Sequence, residues 1–241
     1  MKCHPYWESG NYGQFRVNNF SQRSVSMDQP DSLRIYSPRP STGEPNNPNQ
    51  NTDNNSENPC IIVRHFGLSH SAFPFQPLRE VIQLQYPYWP DFGTTSQPAH
   101  LLQLIEQCEK VKHITSTTAF SSDEAEPQGQ RPILVHCSAG CGRTGTFCTV
   151  DSVLDMLKRQ RSKAQTRTGN DDPDSAWIYN DEKDLVAKAV ADFRTQRPSM
   201  IQNLSQYVLC YESLLEWVVA QLSEEDDGPE QGGPSKNLPS K

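Results

Sequence analysis

The sequence predicts an α/β fold, and three observations carry that prediction. Two runs read as strands, Cys60 to Phe66 and Leu78 to Tyr86, the second with apolar residues at alternate positions. Stretches with apolar residues three and four apart, starting at Ala99, Thr144 and near Leu185, read as helices. Between these groups, Ile133-Leu134-Val135 enters a turn of glycine and small residues, and a helix follows it.

Taken in order, Tyr12 to Val17 reads as a first strand, with Phe15 and Val17 alternating. From about residue 27 to 59 the composition turns to Pro, Asn, Ser and charged residues, which build no core, so a flexible insert is expected. The strands Cys60–Phe66 and Leu78–Tyr86 follow, joined through Phe73-Pro74-Phe75 and able to pair in one sheet. In the second, Ile82, Leu84 and Tyr86 alternate against Gln83 and Gln85. Ala99 to Val111 is an amphipathic helix with Leu101, Leu104, Ile105, Cys108 and Val111 inward, and residues 116–131 form a second polar insert. Ile133–Val135 is expected as a buried strand. The helix opening at Thr144 carries Phe147, Val150, Leu154 and Leu157 on one face and ends near Gln160.

Residues 161–175 form a third insert, and Trp177-Ile178-Tyr179 marks the return to packed structure. Asn180 or Asp181 can cap a helix burying Leu185, Val186, Ala189, Val190 and Phe193, which Pro198 ends. Asn203 and Gln206 resemble a capping box for a last helix that buries Leu204, Val208, Tyr211, Leu214 or Leu215, and Val218. Residues 223–241, with Glu224-Glu225-Asp226-Asp227, read as an acidic disordered tail after a domain at 1–222.

Composition narrows the function classes. A formal net charge of −7 gives no support to nucleic acid as a partner. No apolar run reaches the length of a membrane span. Seven cysteines without regular spacing point to a reducing compartment, so the expected location is the cytoplasm, with the nucleus left open.

The chemistry concentrates in Ile133 to Gly145. Strand, loop and helix in that order place successive backbone N–H groups around a hollow at a helix N-terminus, which binds anions. Cys137 stands at its mouth and Arg143 on the other side. Converging donors, the helix terminus and a guanidinium all favour a thiolate, the nucleophilic form of cysteine. Arg143 offers a planar fork able to clamp two phosphoryl oxygens. Thr144 can donate a hydroxyl to the sulfur.

His136-Cys137, five residues, Arg143-Thr144 is the signature of the cysteine-dependent protein tyrosine phosphatases, and HCSAGCGRTG resembles their tyrosine-specific, non-receptor branch. Rhodaneses, arsenate reductases and dual-specificity phosphatases share the bare Cys-x5-Arg. Upstream, Tyr88-Trp89-Pro90-Asp91-Phe92-Gly93 resembles the family's mobile Trp-Pro-Asp loop, which the rhodaneses and arsenate reductases lack. The resemblance makes Asp91 the acid that protonates the leaving tyrosyl oxygen, a form of help worth about 10²–10⁴-fold.

In Arg197-Pro198-Ser199-Met200-Ile201-Gln202, Gln202 resembles the family's water-positioning glutamine, and Gln206 the second glutamine of the same loop. Arg194 and Arg197 are expected in buried ion pairs. The resemblance thus assigns Cys137, Arg143, Asp91, Thr144 and Gln202 to catalysis. Ser138, Ala139, Gly140, Cys141, Gly142, Arg143 and Gln206 are assigned to phosphate binding. No metal or other cofactor is implied, the partners implied are phosphotyrosine-containing proteins in signal transduction, and no membrane is involved.

The resemblance runs from Lys2 to about Gln221 across the three inserts and implies a twisted mixed sheet flanked by helices. Lys2-Cys3-His4-Pro5-Tyr6-Trp7 resembles a segment found midway through the family's domain, with Glu8 where the family usually has Pro. The chain is therefore expected to start inside the domain, without its phosphotyrosine-recognition loop. Two other readings stay open. One is a catalytically weak or inactive fragment that binds phosphotyrosine or a protein partner. The other is a thiol-redox or sulfur-transfer protein, suggested by Cys137 and Cys141 at close spacing.

Overall fold

The computed structural model describes residues 4–27, 59–118, 132–165 and 184–226. The expected inserts lie largely outside these residues, as do Lys2-Cys3, Trp177-Ile178-Tyr179, both expected helix caps Asn180 and Asp181, and the tail from residue 227.

The fold is α/β. Strands β1 (Gly10–Tyr12), β2 (Phe15–Ser26), β3 (Cys60–His70) and β4 (Arg79–Gln85) form one sheet in the order β1-β2-β3-β4. Every pairing among the described residues is antiparallel, where a mixed sheet was expected. The single strand expected over Tyr12–Val17 is a hairpin instead. The chain reverses at Gly13-Gln14 and pairs Tyr12 with Phe15, and β2 then continues to Ser26. β3 and β4 pair as anticipated, Arg64 opposite Gln83.

Val25, Met27, Ile61 and Val63 are buried on one face of the sheet, and Leu104 of helix α1 (Pro98–Thr118) packs against them. α1 carries its expected inward face but runs past Val111 into the expected second insert. Helices α2 (Gly142–Gln165), α3 (Leu185–Gln196) and α4 (Leu204–Asp226) complete the helical layer. Phe147, Val150 and Leu154 of α2 are buried among Leu101, Ile105, Val186, Val190 and Leu209, so α2 is the centre of the main core. None of the described helices is long and apolar enough to cross a membrane.

Several expectations are corrected. Ile133–Val135 is not a buried strand: it belongs to no ladder, and Ile133 and Leu134 are 44% and 89% exposed. Among the described residues the sheet ends at β4, so this apolar run has no strand beside it. α2 opens at Gly142, two residues before the expected Thr144, and persists to Gln165. The cap of α3 is Asp184, whose carboxylate accepts from the Ala187 N–H at 2.9 Å. Leu185 and Phe193 are only half-buried there.

α4 turns a different face inward from the one expected. Leu204, Val208, Tyr211, Leu215 and Val218 are exposed, whereas Gln206, Leu209, Cys210, Ser213 and Leu214 are buried. α4 also reaches Asp226, into the expected tail.

Candidate active site

The first hydrogen bond of α2 runs from the Gly145 N–H to the Cys141 carbonyl at 2.8 Å. The loop Ser138 to Cys141 lies ahead of the helix, with the Gly140 and Cys141 amides turned toward the Cys137 sulfur. Burial pushes that thiol's pKa up, but the Thr144 hydroxyl and the N–H groups of Thr144, Cys141 and Gly140 outweigh burial and bring it down to about 7. Thr144 Oγ1 is buried with no hydrogen-bond partner among the described residues, which leaves the hydroxyl available to the Cys137 sulfur. By contrast, Cys108 and Cys210 are held up at about 12 by burial. Of these three thiols, Cys137 is the one lowered toward neutrality.

Two neighbours fix the loop's shape. Gly140 has φ +67, a left-handed conformation that suits glycine, and its carbonyl accepts from Arg197 Nη1 at 2.9 Å. A Cβ there would lie 2.5 Å from that nitrogen. Gly145 lets the chain at Ile201 approach closely: a Cβ would meet the Ile201 nitrogen at 2.5 Å. Ile201 itself is 3% exposed with φ +60, a genuine outlier for a β-branched residue, and its N–H reaches the Cys141 carbonyl at 3.3 Å. Arg194 and Arg197, expected in ion pairs, serve carbonyl groups instead. Arg194 donates to Met200 and Ile201 at 3.0 Å each.

Arg143 leaves α2 toward the Tyr88–Gly93 loop. Its Nη1 donates to the Trp89 carbonyl at 2.7 Å, and its Nη2 pairs with the Asp91 carboxylate. Trp89 is 5% exposed and anchors the loop, its indole donating to the Gly93 carbonyl at 2.9 Å. Cys137, Arg143 and Asp91 line one cavity of about 1230 Å³, together with Ser138, Thr144, Tyr6 and His136. The structure therefore gathers four of the five expected catalytic residues around one space.

The fifth, Gln202, is exposed and stands against the loop, its Oε1 2.7 Å from where a Cβ on Gly142 would sit. Gln206, assigned to phosphate binding, stands behind that loop, its carboxamide nitrogen and oxygen each 2.9 Å from where a Cβ on Gly142 would sit. It is fully buried, its Oε1 accepting from the Gln202 N–H at 3.0 Å and its Nε2 donating to the Gly93 carbonyl at 3.4 Å. It ties two loops together and is not among the residues lining the cavity. The capping box is shifted by one residue. Asn203 Oδ1 accepts from the Gln206 N–H at 2.9 Å, but the glutamine reaches back to Gln202 rather than to Asn203. Asn203 also donates to the Phe92 carbonyl at 2.7 Å, so the start of α4 braces the loop that carries Asp91.

The sequence pattern gave no sign of Arg64, Gln83 or the Tyr6–His136 contact, whose partners lie far apart along the chain. Only the run of glutamines on alternate positions of β4 hinted at a polar row.

Comparison with known proteins bears on the chain as a whole. The family model described as protein-tyrosine phosphatase matches residues 1–216. Tyrosine-protein phosphatase 3 of Saccharomyces cerevisiae is 30% identical over 281 residues, covering 98% of this chain and 28% of that protein. Human tyrosine-protein phosphatase non-receptor type 18 is 34% identical over 144 residues, 60% of this chain and 24% of that protein. Tyrosine-protein phosphatase Lar of Drosophila melanogaster is 29% identical over 224 residues, 93% of this chain and 8% of that protein. The chain thus spans about a quarter of the length of the first two relatives. With the family model matched over most of the chain and a low-pKa thiol at the mouth of a Cys-x5-Arg loop, the chain belongs to the protein-tyrosine phosphatase family.

Proposed function

We propose that this chain hydrolyses phosphotyrosine in proteins through a cysteinyl-phosphate intermediate. The observation that carries the reading is the Cys137 thiol, ringed by backbone N–H groups and lowered to about 7, in the same cavity as Arg143 and Asp91. The thiolate attacks phosphorus in line with the tyrosyl oxygen. The loop N–H groups and the Arg143 fork hold the equatorial oxygens through a loose transition state. Before substrate arrives, that fork is paired with Asp91. A phosphoryl group that claims the guanidinium releases the carboxylate, which takes up a proton from solvent and gives it to the departing phenolate. In the second step Gln202 positions a water against phosphorus, Asp91 takes its proton, and Thr144 steadies the leaving thiolate.

The relatives' names speak of tyrosine phosphatases, and the substrate proposed for this chain is phosphotyrosine in the same sense. The second reading, a binding module that holds phosphotyrosine without turning it over, is separated by one set of variants. Cys137→Ser should abolish hydrolysis of a phosphotyrosyl peptide while leaving its binding largely intact. Asp91→Ala should slow that peptide about 10²-fold or more, but an aryl phosphate with an acidic leaving group far less. Equal slowing of the two substrates removes Asp91 from the acid's role. Peptide binding with no turnover by the parent chain establishes the second reading.

A further inference from the structure

Arg64 is the buried cation of the sheet, 5% exposed and stacked over Trp7 at 4.4 Å. It lies in a straight cross-strand row, with Gln22 of β2 on one side and Gln83 of β4 on the other. Carboxamide oxygens meet the guanidinium. Its Nε donates to Gln22 at 2.6 Å, and its Nη1 donates to Gln83 at 2.9 Å and Gln85 at 2.7 Å.

A guanidinium has donors only, so the Gln83 oxygen must face Arg64 and its NH₂ must face away. That NH₂ donates to the Tyr6 hydroxyl at 2.8 Å. A phenol oxygen that accepts there has its own proton to give, and His136 Nε2 lies 2.6 Å from it. Given to Nε2, that proton leaves the imidazole's own proton on Nδ1, which lies 3.3 Å from the carbonyl oxygen of Cys137. The direction from Gln83 to Tyr6 is set at Arg64.

We propose that Gln83 is a positioning residue for the nucleophile loop. By fixing the direction of the Tyr6 hydroxyl it selects the Nδ1–H tautomer of His136 and places a donor on the Cys137 carbonyl. The consequence for reactivity rests on the reading of Cys137 as nucleophile; the tautomer does not. Free imidazole prefers its proton on Nε2, so the assignment runs against the default.

The decisive substitution is Gln83→Glu. It keeps an oxygen toward Arg64 but can no longer donate to Tyr6. The phenol then donates to the new carboxylate and accepts from His136, which must move its proton to Nε2. Gln85→Glu places the same charge beside Arg64 without touching Tyr6, and Tyr6→Phe removes the relay should Gln83→Glu fail to fold. The whole chain, ¹⁵N-labelled at histidine, is compared at about pH 8, above the ordinary imidazole range, with long-range ¹H–¹⁵N spectra in which His136→Gln assigns the signal.

The parent and Gln85→Glu should show the Nδ1–H pattern, and Gln83→Glu and Tyr6→Phe the Nε2–H pattern. The pH midpoint for alkylation of Cys137 should rise by about half a unit to one unit in the latter two relative to Gln85→Glu, the equivalent of one hydrogen bond. An Nε2–H signal in the parent, or an unchanged signal in Gln83→Glu and Tyr6→Phe, overturns the assignment. A tautomer switch with no movement of the midpoint overturns the positioning role alone. A parent chain whose Cys137 is alkylated normally yet hydrolyses nothing fails the functional reading, and the tautomer pattern still decides this one.

Discussion

At the scale of single residues, the site is a competition between burial and hydrogen bonding for the charge on one sulfur. Burial, helped at Cys108 by the nearby Asp151 and Glu109 carboxylates, lifts Cys108 and Cys210 to about 12, whereas four donors around Cys137 reverse the sign and bring it to about 7 from an ordinary 9.0. A pKa lowered by folding contributes stability that is fully present above the unfolded value. It declines as pH falls and is gone below the folded value. Chemical denaturation of the parent and Cys137→Ser at several pH values should therefore show the parent's relative stability rising between about 7 and 9.0. A difference that stays constant over that window shows that the loop does not stabilise the thiolate. Cys137, Arg143 and Asp91 were legible because each sits in a contiguous string whose local geometry makes the chemistry. The hydrogen bonds of Gln206 were not legible for the opposite reason: one of its partners, Gly93, lies more than a hundred positions away.

At the scale of elements, α4 shows why periodicity can name a helix and still miss its face. Leu204, Val208, Leu209, Leu214, Leu215, Val218 and Val219 leave little of the helix circumference without an apolar residue. The inward stripe is set instead by what the neighbours require, and two polar residues, Gln206 and Ser213, lie in it fully buried. A reading by hydrophobicity rejects those positions and rotates the helix. Alanine substitution separates the two faces. Leu209→Ala, at 1% exposure, should cost about 2–5 kcal/mol in urea unfolding. Leu215→Ala, at 65% exposure, should change stability by no more than about 0.5 kcal/mol. Comparable losses at both positions would mean that another surface covers the outer face. Helices α1 and α2 were read correctly because each has one apolar side, and their ends drifted because apolar periodicity locates a face and not a terminus.

At the scale of the whole molecule, the long polar stretch anticipated from composition turns out to join the ends of two paired strands. Ser26 of β2 lies opposite Cys60 of β3, and the Met27 N–H donates to the Pro59 carbonyl at 2.9 Å. Met27 is 3% exposed against the sheet's apolar face, so the ladder is closed by described residues before the connection begins. A connection between ends already held together is a cost in chain entropy, about 0.6 kcal/mol for each doubling of its length. Replacing residues 28–58 by a short Asn-Gly turn should thus preserve the β2–β3 register and raise stability by about 1–2 kcal/mol. The site should be unaffected, since Cys137, Arg143 and Asp91 are held by α2, α4 and the Trp89 anchor, and the contact of the Tyr88–Gly93 loop with that end of the sheet, Tyr88 to Cys60 at 3.8 Å, lies outside the replaced residues. Thermal melts and the alkylation profile of Cys137 check both halves of the expectation. A deletion variant that melts lower, or whose Cys137 midpoint moves away from about 7, would show that residues 28–58 pack against the domain and help to shape it.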